Sequence, residues 1–438
     1  MDHAARSSWT EEQAERQLRS LELFGMRFGL DRMRRMMTVL GSPERRFDAI
    51  HILGTNGKSS TTRMIAAILA RHGLRTGAYL SPHLVSYRER VLLDGGALDA
   101  DAFAAAIERA SWAAERVNRT LAGDDHVTQF ELLTAAAFWA MAERGVQVAA
   151  VEAGLGGRYD ATSVLDSPLT VLTNVGLEHT RWLGPTLADI AEEKLAVVRA
   201  GGTLVLGEDL VEPALTVAER VAGERGALIV RPDGGASPAR LRARGAFQRR
   251  NFALARAAAE TYLRSAGVAV REQEVSAAGG AVEVPGRLQL LDEHPPTVLD
   301  GAHNPAAVAA LVESLPEVLD ERPLAIVLGV LEDKDAAAML AALLPLCERA
   351  WFTAPPSSRA LSPAALQSLA RQLGFEASAC EPKPSHALRA ARQWALEHDG
   401  GVLVTGSVYL IGEVLGQLDR FDNLPREGAQ ARSSSSRT

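Results

Sequence analysis

The sequence predicts an α/β fold in two parts, each a mostly parallel sheet with helices on both faces. Three observations carry this. Short apolar runs alternate with helical stretches in two separate regions. A glycine-lysine loop stands between the first run and the first helix, and Gly/Pro signals near residue 284 part the two regions.

In the first region Ile50-His51-Ile52-Leu53 reads as a short buried strand, and a helical pattern runs from Lys58 to His72. Val148 to Val151 and Leu169 to Leu172 are further strands, with Ala-rich helices around 102–117 and 130–143. Strands alternating with helices of this length pair in parallel and are covered on both faces. In the second region Thr297 to Leu299, Ala325 to Leu328 and Val402 to Val404 are strands, each followed by a helical segment. Gly279-Gly280 and Val284-Pro285-Gly286 mark the boundary. The expected division is a first domain over 1–284, a linker over 285–296, a second domain over 297–423 and a disordered tail over 424–438, which holds four consecutive serines. Met1 to Ser8 is expected to be loose too.

Composition narrows the function. Among 438 residues, 47 Lys+Arg stand against 54 Asp+Glu, a net charge of −7. That balance argues against general binding to nucleic acid or anionic membranes. The two cysteines, Cys347 and Cys380, are too few for a disulfide framework. Met1 to Glu12 lacks the apolar centre of a signal peptide, and no apolar run reaches the ~18 residues of a membrane span. The expected setting is the cytoplasm.

Gly54-Thr55-Asn56-Gly57-Lys58-Ser59-Ser60 follows the first strand and opens a helix. Glycines let successive N–H groups point at phosphate oxygens, the helix N-terminus adds partial positive charge, and Lys58 adds a full one. A Ser hydroxyl beside the lysine suits a Mg²⁺ shell otherwise completed by triphosphate and water. The bland alternative is a glycine-rich turn with a solvated lysine. The spacing departs from G-x-x-x-x-G-K-[ST], because Gly54 lies three residues before Gly57. Glu152 ends the strand Gln147 to Val151 and is followed by Ala153-Gly154-Leu155-Gly156-Gly157-Arg158. A carboxylate beyond the carboxyl end of a parallel strand suits a hard cation. His179 and Ser81 are unremarkable taken singly: most lone histidines are surface or hydrogen-bonded residues.

The shortened loop resembles that of ADP-forming amide ligases, the Mur ligases and folylpolyglutamate synthases. Further strings occur in order: S-P-H-L at Ser81 to Leu84, E-R at Glu89-Arg90, E-A-G-L-G-G-R-Y-D-A-T at Glu152 to Thr162, and H-T-x-W-L-G at His179 to Gly184. Together they resemble the bifunctional dihydrofolate synthase/folylpolyglutamate synthase family, over about residues 20 to 415. The resemblance implies a phosphate-loop ATPase domain with a mostly parallel sheet, plus a smaller Rossmann-like α/β C-terminal domain. It implies Mg²⁺ binding by Ser81, Glu152 and His179, and ATP binding by Thr55, Asn56, Gly57, Lys58, Ser59 and Ser60.

Thr186 and Asp189 form a capping box, and Lys194 falls on the apolar stripe of the helix that follows. A snorkelling lysine would look the same. The string Ile190-Ala191-Glu192-Glu193-Lys194 resembles the family's site of N-carboxylation, although Leu195-Ala196-Val197 departs from the usual A-G-I. Desolvation would lower the amine's pKa and let it capture CO₂ as an anionic metal ligand.

In the second region Pro285-Gly286-Arg287 resembles the family's P-G-R, where the arginine reaches the ATP phosphates; Val284 stands where relatives often carry tryptophan. Asp300-Gly301-Ala302-His303-Asn304-Pro305 could simply start a helix, Asn304 as cap and Pro305 in the first turn. It matches the family's D-G-A-H-N-P, which implies that Asp300 meets nucleotide and that His303 lies near the reacting groups. Asn251 matches an asparagine of the ATP site. Asp333-Lys334-Asp335 and Thr405 to Leu410 also match family strings.

Thr128-Gln129-Phe130-Glu131 opens an amphipathic helix in which Phe130 is core by default. The family's T-x-F-E lines the pterin site, which implies pterin contacts for Thr128, Phe130 and Asp160. Phe130 could stack on the ring and Asp160 could accept from its amino-pyrimidine edge. Arg32, Arg34 and Arg35 read first as a solvated face and second as contacts for a polyanionic tail. Arg240, Arg242, Arg244, Arg249 and Arg250 form the one basic cluster; few aromatics interleave it, so nucleic-acid binding is not expected.

The resemblance thus implies an ATP-dependent ligase, active as a monomer, that adds L-glutamate to dihydropteroate, to reduced folates or to both. A carboxylate becomes an electrophile as its acyl phosphate, and phosphate leaves when the glutamate amine attacks. Catalytic roles are expected for Lys58, Lys194 and His303. The alternatives are a Mur-type ligase acting on a nucleotide-linked sugar and a phosphate-loop regulatory module.

Overall fold

A computed structural model describes residues 8–21, 29–233 and 241–422. The expected loose start before Ser8, the expected tail over 424–438 and Arg240 lie outside the described residues.

The first sheet contains β1 (Asp48–Leu53), β2 (Thr76–Tyr79), β3 (Val91–Leu93), β4 (Gly96–Ala97), β5 (Val148–Glu152), β6 (Leu169–Leu172), β7 (Thr203–Leu206) and β8 (Leu228–Val230), in spatial order β4-β3-β2-β5-β1-β6-β7-β8. Pairing is parallel from β2 to β8, and only β3 and β4 run antiparallel at one edge. β1 sits near the middle with five of its six residues buried. Such burial on both faces explains why it reads as a continuous apolar run. On one face the helix Lys58–Arg71 packs on Ala246–Ser265 through Met64, Ile68, Phe252 and Leu263. On the other, Ala100–Asn118 and Gln129–Glu143 bury Phe103, Ile107, Leu133 and Phe138.

The second sheet contains β9 (Gln289–Glu293), β10 (Pro296–Leu299), β11 (Leu324–Leu328), β12 (Arg349–Phe352), β13 (Ser378–Cys380) and β14 (Gly401–Thr405), in order β13-β12-β11-β14-β10-β9. All pairs are parallel except β9 with β10. Two boundary expectations are corrected here. The segment read as a linker over 285–296 holds β9, an edge strand of the second sheet. Gly279-Gly280 lies inside the helix Glu272–Ala281, where Gly279 faces Leu241 and Phe252 at a spacing that excludes a side chain.

The carboxyl ends of β1, β5, β6 and β7 face those of β10, β11 and β14, with one cleft between the sheets. Polar contacts between the two domains cross it. At one end Arg249 pairs bidentately with Glu317 at 2.6 and 2.9 Å, and Arg250 bridges Asp209 at 2.7 Å and Glu313 at 2.9 Å. In the middle the amides of Asn56 and Asn304 exchange hydrogen bonds at 2.9 and 3.3 Å. The basic cluster is therefore largely neutralised, with Arg242 paired to Glu283 as well. Arg32 corrects both sequence readings: it is buried and bonds Glu131 at 3.0 Å and Asp125 at 3.0 Å.

Candidate active site

The cleft encloses about 790 Å³, a volume suited to a nucleotide with a second ligand beside it. The phosphate loop forms its floor. Gly54 and Gly57 have φ of 145° and 81°, which glycine adopts at little cost. A Cβ on Gly54 would collide with the Thr173 hydroxyl, and one on Gly57 would lie 2.5 Å from Asn251 Oδ1. The loop after β6 braces this turn. Thr55 N–H donates to the Asn174 carbonyl at 3.0 Å, Asn56 N–H donates to Asn174 Oδ1 at 2.9 Å, and the Thr173 hydroxyl donates to the Asn56 carbonyl at 2.6 Å. With the turn braced from outside, two residues fewer need to be spanned from within. Lys58 Nζ donates to the Gly54 and Thr55 carbonyls at 3.0 and 3.1 Å, so its charge stays over the loop.

Glu152 is 2 % exposed at the end of β5. Its oxygens accept from Ser59 Oγ at 3.0 Å and from the Ser81 N–H at 3.1 Å. Burial pushes its pKa up, against the opposing charge of Lys58. A buried carboxylate flanked by two serines on the cavity wall offers hard oxygen donors, and this set fits Mg²⁺. His179 also lines the cavity, but its Nε2 lies 3.3 Å from Glu178 Oε1. Among the described residues no three His, Cys, Asp or Glu side chains gather as a ready-made metal site.

Lys194 lies behind the loop. It is 4 % exposed, its Nζ donates to the Gly54 carbonyl at 2.9 Å, and desolvation, helped by Lys58, lowers its pKa to about 7. The sequence placed it on an apolar stripe correctly; only the fold shows the stripe pressed against the phosphate loop.

The opposite wall comes from the second sheet. Arg287 lines the cleft, and its charge acts on both Glu152 and Asp300. Asp300 is buried; Oδ2 accepts from Leu288 N–H and Oδ1 from Ala302 N–H, each at 2.8 Å. It thereby ties the P-G-R turn to the D-G-A-H segment. His303 Nδ1 donates to the Gly301 carbonyl at 2.9 Å, which leaves Nε2 toward Glu178 at 3.8 Å. Sequence reasoning missed Glu178. Burial alone would raise its pKa, but the neighbouring imidazoles of His179 and His303 and the charge of Lys58 hold it well below the ordinary range. Lys334, from the D-K-D string, stands 3.7 Å from it, and Arg359 lines the same wall.

The three pterin candidates do not line this cavity. Thr128 caps the Gln129–Glu143 helix, and Phe130 packs behind Gly154, 2.5 Å from where a Cβ there would stand. Asp160 accepts from Leu155 N–H at 2.7 Å, Thr162 N–H at 3.0 Å and Thr162 Oγ1 at 2.5 Å. Phe130 and Asp160 build the layer behind Gly154, and Thr128 caps the helix that carries Phe130.

Known proteins share this arrangement. Residues 286–408 match the family described as Mur ligase, glutamate ligase domain. A folylpolyglutamate synthase of Lacticaseibacillus casei is 31% identical over 87% of this chain and 93% of its own length. A probable bifunctional folylpolyglutamate synthase/dihydropteroate synthase of Haloferax volcanii is 34% identical over 90% of this chain; the chain spans about half of that longer relative, 49%. The structure of Mycobacterium tuberculosis folylpolyglutamate synthase complexed with ADP superposes with a TM-score of 0.86 at 31% identity, covering 93% of this chain and 98% of that one. E. coli FolC in complex with DHPP and ADP gives 0.83 at 29% identity, covering 96% and 100%. With this cleft, this loop and these relatives, the chain belongs to the dihydrofolate synthase/folylpolyglutamate synthase family of ATP-dependent, ADP-forming ligases.

Proposed function

We propose that this protein joins L-glutamate to a pteroyl carboxylate, on dihydropteroate and on reduced folates, through an acyl phosphate. The observation that carries the proposal is the placement of Lys58, Ser59, Ser81 and Glu152 on one wall and Arg287 and His303 on the other, with room for a triphosphate between. Two named relatives add support. E. coli FolC was captured with DHPP and ADP, and a Bacillus subtilis relative, 32% identical over 89% of this chain and 95% of its own length, is named dihydrofolate synthase/folylpolyglutamate synthase.

Ser59, Ser81 and Glu152, with His179, would hold Mg²⁺, which when bound neutralises charge on the transferring phosphoryl group. Lys58 and Arg287 stabilise that charge from opposite sides, and Thr55 to Ser60 and Asn251 hold the nucleotide. Lys194, lowered toward neutrality, is carboxylated in this proposal and so supplies a further anion beside Gly54. Lys334 and Arg359 offer positive charge for a carboxylate of the incoming glutamate. His303, its Nδ1 proton committed to Gly301, presents Nε2 as acceptor for a proton of the glutamate ammonium. Closure of the second domain over the first would exclude water. Each chain contains a whole cleft, which supports a monomer. A cytoplasmic setting is part of the proposal; no described helix is long and apolar enough to cross a membrane.

The test is ADP release with ATP and glutamate, adding dihydropteroate in one reaction and tetrahydrofolate in another. Stimulation by both supports the full proposal; one alone assigns a single step. Response only to a nucleotide-sugar carboxylate moves the protein to the Mur branch, and response to no carboxylate favours a regulatory module.

A further inference from the structure

The E-R string, Glu89-Arg90, lies outside the phosphate chemistry, yet it organises the loop that carries Ser81. Glu89 Oε2 accepts from Leu84 N–H at 2.9 Å, and Oε1 accepts from Val85 and Ser86 N–H at 2.8 and 2.7 Å. One carboxylate thus ties three consecutive amides, a pattern that fixes a loop as a rigid piece. Arg90 completes it: Nε donates to His83 Nδ1 at 2.9 Å, and the His83 ring lies on Tyr87 with centroids 4.2 Å apart. At one end of the loop, the Ser81 N–H reaches Glu152.

The other end crosses to the second domain. Leu84 packs into the apolar cluster that includes Leu410 and Ile411. Gly412 comes so close to the Leu84 carbonyl that a Cβ there would overlap its backbone oxygen. One helical turn on, a Cβ on Gly416 would stand 3.4 Å from Val85 Cγ1, an ordinary contact. The helix Val408–Asp422 therefore offers a glycine seat for Leu84, with room to spare only at its second position.

We infer that Glu89 and Gly412 are positioning residues that couple domain closure to the placement of Ser81. The Glu89 carboxylate makes residues 81–86 one rigid piece, so seating Leu84 on Gly412 and holding Ser81 against Glu152 become a single event. The inference rests on the proposed phosphoryl transfer for its kinetic consequence, but the seat itself can be read without turnover.

The test compares Gly412→Ala with Gly416→Ala, and adds Glu89→Gln. Amide hydrogen exchange of residues 84–86 is followed with and without a non-hydrolysable ATP analogue and Mg²⁺, alongside kcat, the KM for glutamate and equilibrium ADP affinity. In wild type and Gly416→Ala the analogue should slow exchange at these amides. Gly412→Ala should abolish that protection and lower kcat/KM for glutamate about 100-fold, while ADP affinity stays within about two-fold. Glu89→Gln should speed exchange at the same amides even without nucleotide and lose kcat in the same way. Equal protection in Gly412→Ala and wild type, with unchanged kinetics, would overturn the inference. If wild type shows nucleotide-dependent protection but no ligase turnover, the functional proposal fails and the exchange comparison still decides the seat. A variant that melts early is replaced by Gly412→Ser, which carries the same Cβ and must give the same loss of protection.

Discussion

On the nucleotide side of the cleft, Thr55 to Ser60 line the cavity with a helix N-terminus and a lysine, and their bracing comes from Thr173 and Asn174, which follow another strand and take up the N–H groups of Thr55 and Asn56. Near Gly154, where the proposed reading would seat the acyl substrate, Thr128, Phe130 and Asp160 spend their side chains on their own walls. A phosphate binder works through backbone direction, so its motif can remain free for ligand while neighbours hold it. A site for a flat ring works largely through shape, and the shape is set by residues whose hydrogen bonds are already satisfied. The two sides should therefore fail differently when changed. Nucleotide-side substitutions should cost rate with the fold intact; acyl-side substitutions should cost stability first.

The largest expected effect is that of Lys58→Ala. Losing the only full charge on the loop should lower kcat about 10³-fold or more, with the melting temperature unchanged. ADP release measures the first and thermal unfolding the second; wild-type turnover would sink the assignment of the loop.

Arg32→Leu breaks the comparison from the other side. It strands the buried Glu131 carboxylate without its guanidinium and should destabilise the fold by about 3 kcal/mol, read as a lower denaturation midpoint. ADP affinity should not change. If the variant melts like wild type but loses nucleotide binding, the division between the two sides is wrong.

Glu152→Gln should separate function from stability within one residue. The carboxylate is buried and its pKa is raised, so the native state holds more protons than the unfolded chain above the ordinary glutamate range. Stability from this group therefore falls as pH rises through that window, and the amide relieves the cost. The variant should melt no earlier than wild type at neutral pH while losing about 100-fold in kcat and its Mg²⁺ dependence.

Lys194 gives a smaller, pH-dependent effect. Its folded pKa of about 7 lies below the ordinary 10.5, so the unfolded chain binds the extra proton between these values. Its contribution to stability rises with pH across that interval. Activity should fall below about pH 7 as the amine becomes charged, by about ten-fold in CO₂-depleted buffer, and bicarbonate should restore it. An intact-mass spectrum with no CO₂ adduct under replete conditions, together with no bicarbonate effect, would reject carboxylation.

How far the sequence carried this picture follows from the same contrast. Ile50 to Leu53, the phosphate loop and Glu152 are legible because a buried parallel strand and a glycine turn constrain residue type locally. Lys194 is legible as an oddity, a charge on an apolar stripe. The short β3 and β4 carry too little periodicity to be noticed, and β9 reads as a linker because its residues are half exposed. Arg32 looks like a surface charge because its partners lie 93 and 99 residues away. Glu178, Lys334 and Arg359 share a wall only after two sheets have met, and nothing in their neighbours' spacing announces it.

Arg249→Ala is expected to do least, and that makes it informative. The Arg249–Glu317 pair crosses the domain boundary with good bidentate geometry, yet its side chains are 46% and 37% exposed. Solvent screens such a pair, so its loss should cost under about 1 kcal/mol in unfolding and leave kcat within about two-fold. Raising ionic strength should mimic the substitution in wild type and have no further effect in the variant. A large loss of glutamate-dependent turnover in Arg249→Ala would mean that the cleft is held shut electrostatically at its nucleotide end. It would then not be the packing of Leu84 and the amide exchange of Asn56 with Asn304 that close it, and the nucleotide side would depend on the second domain as much as the acyl side depends on its own walls.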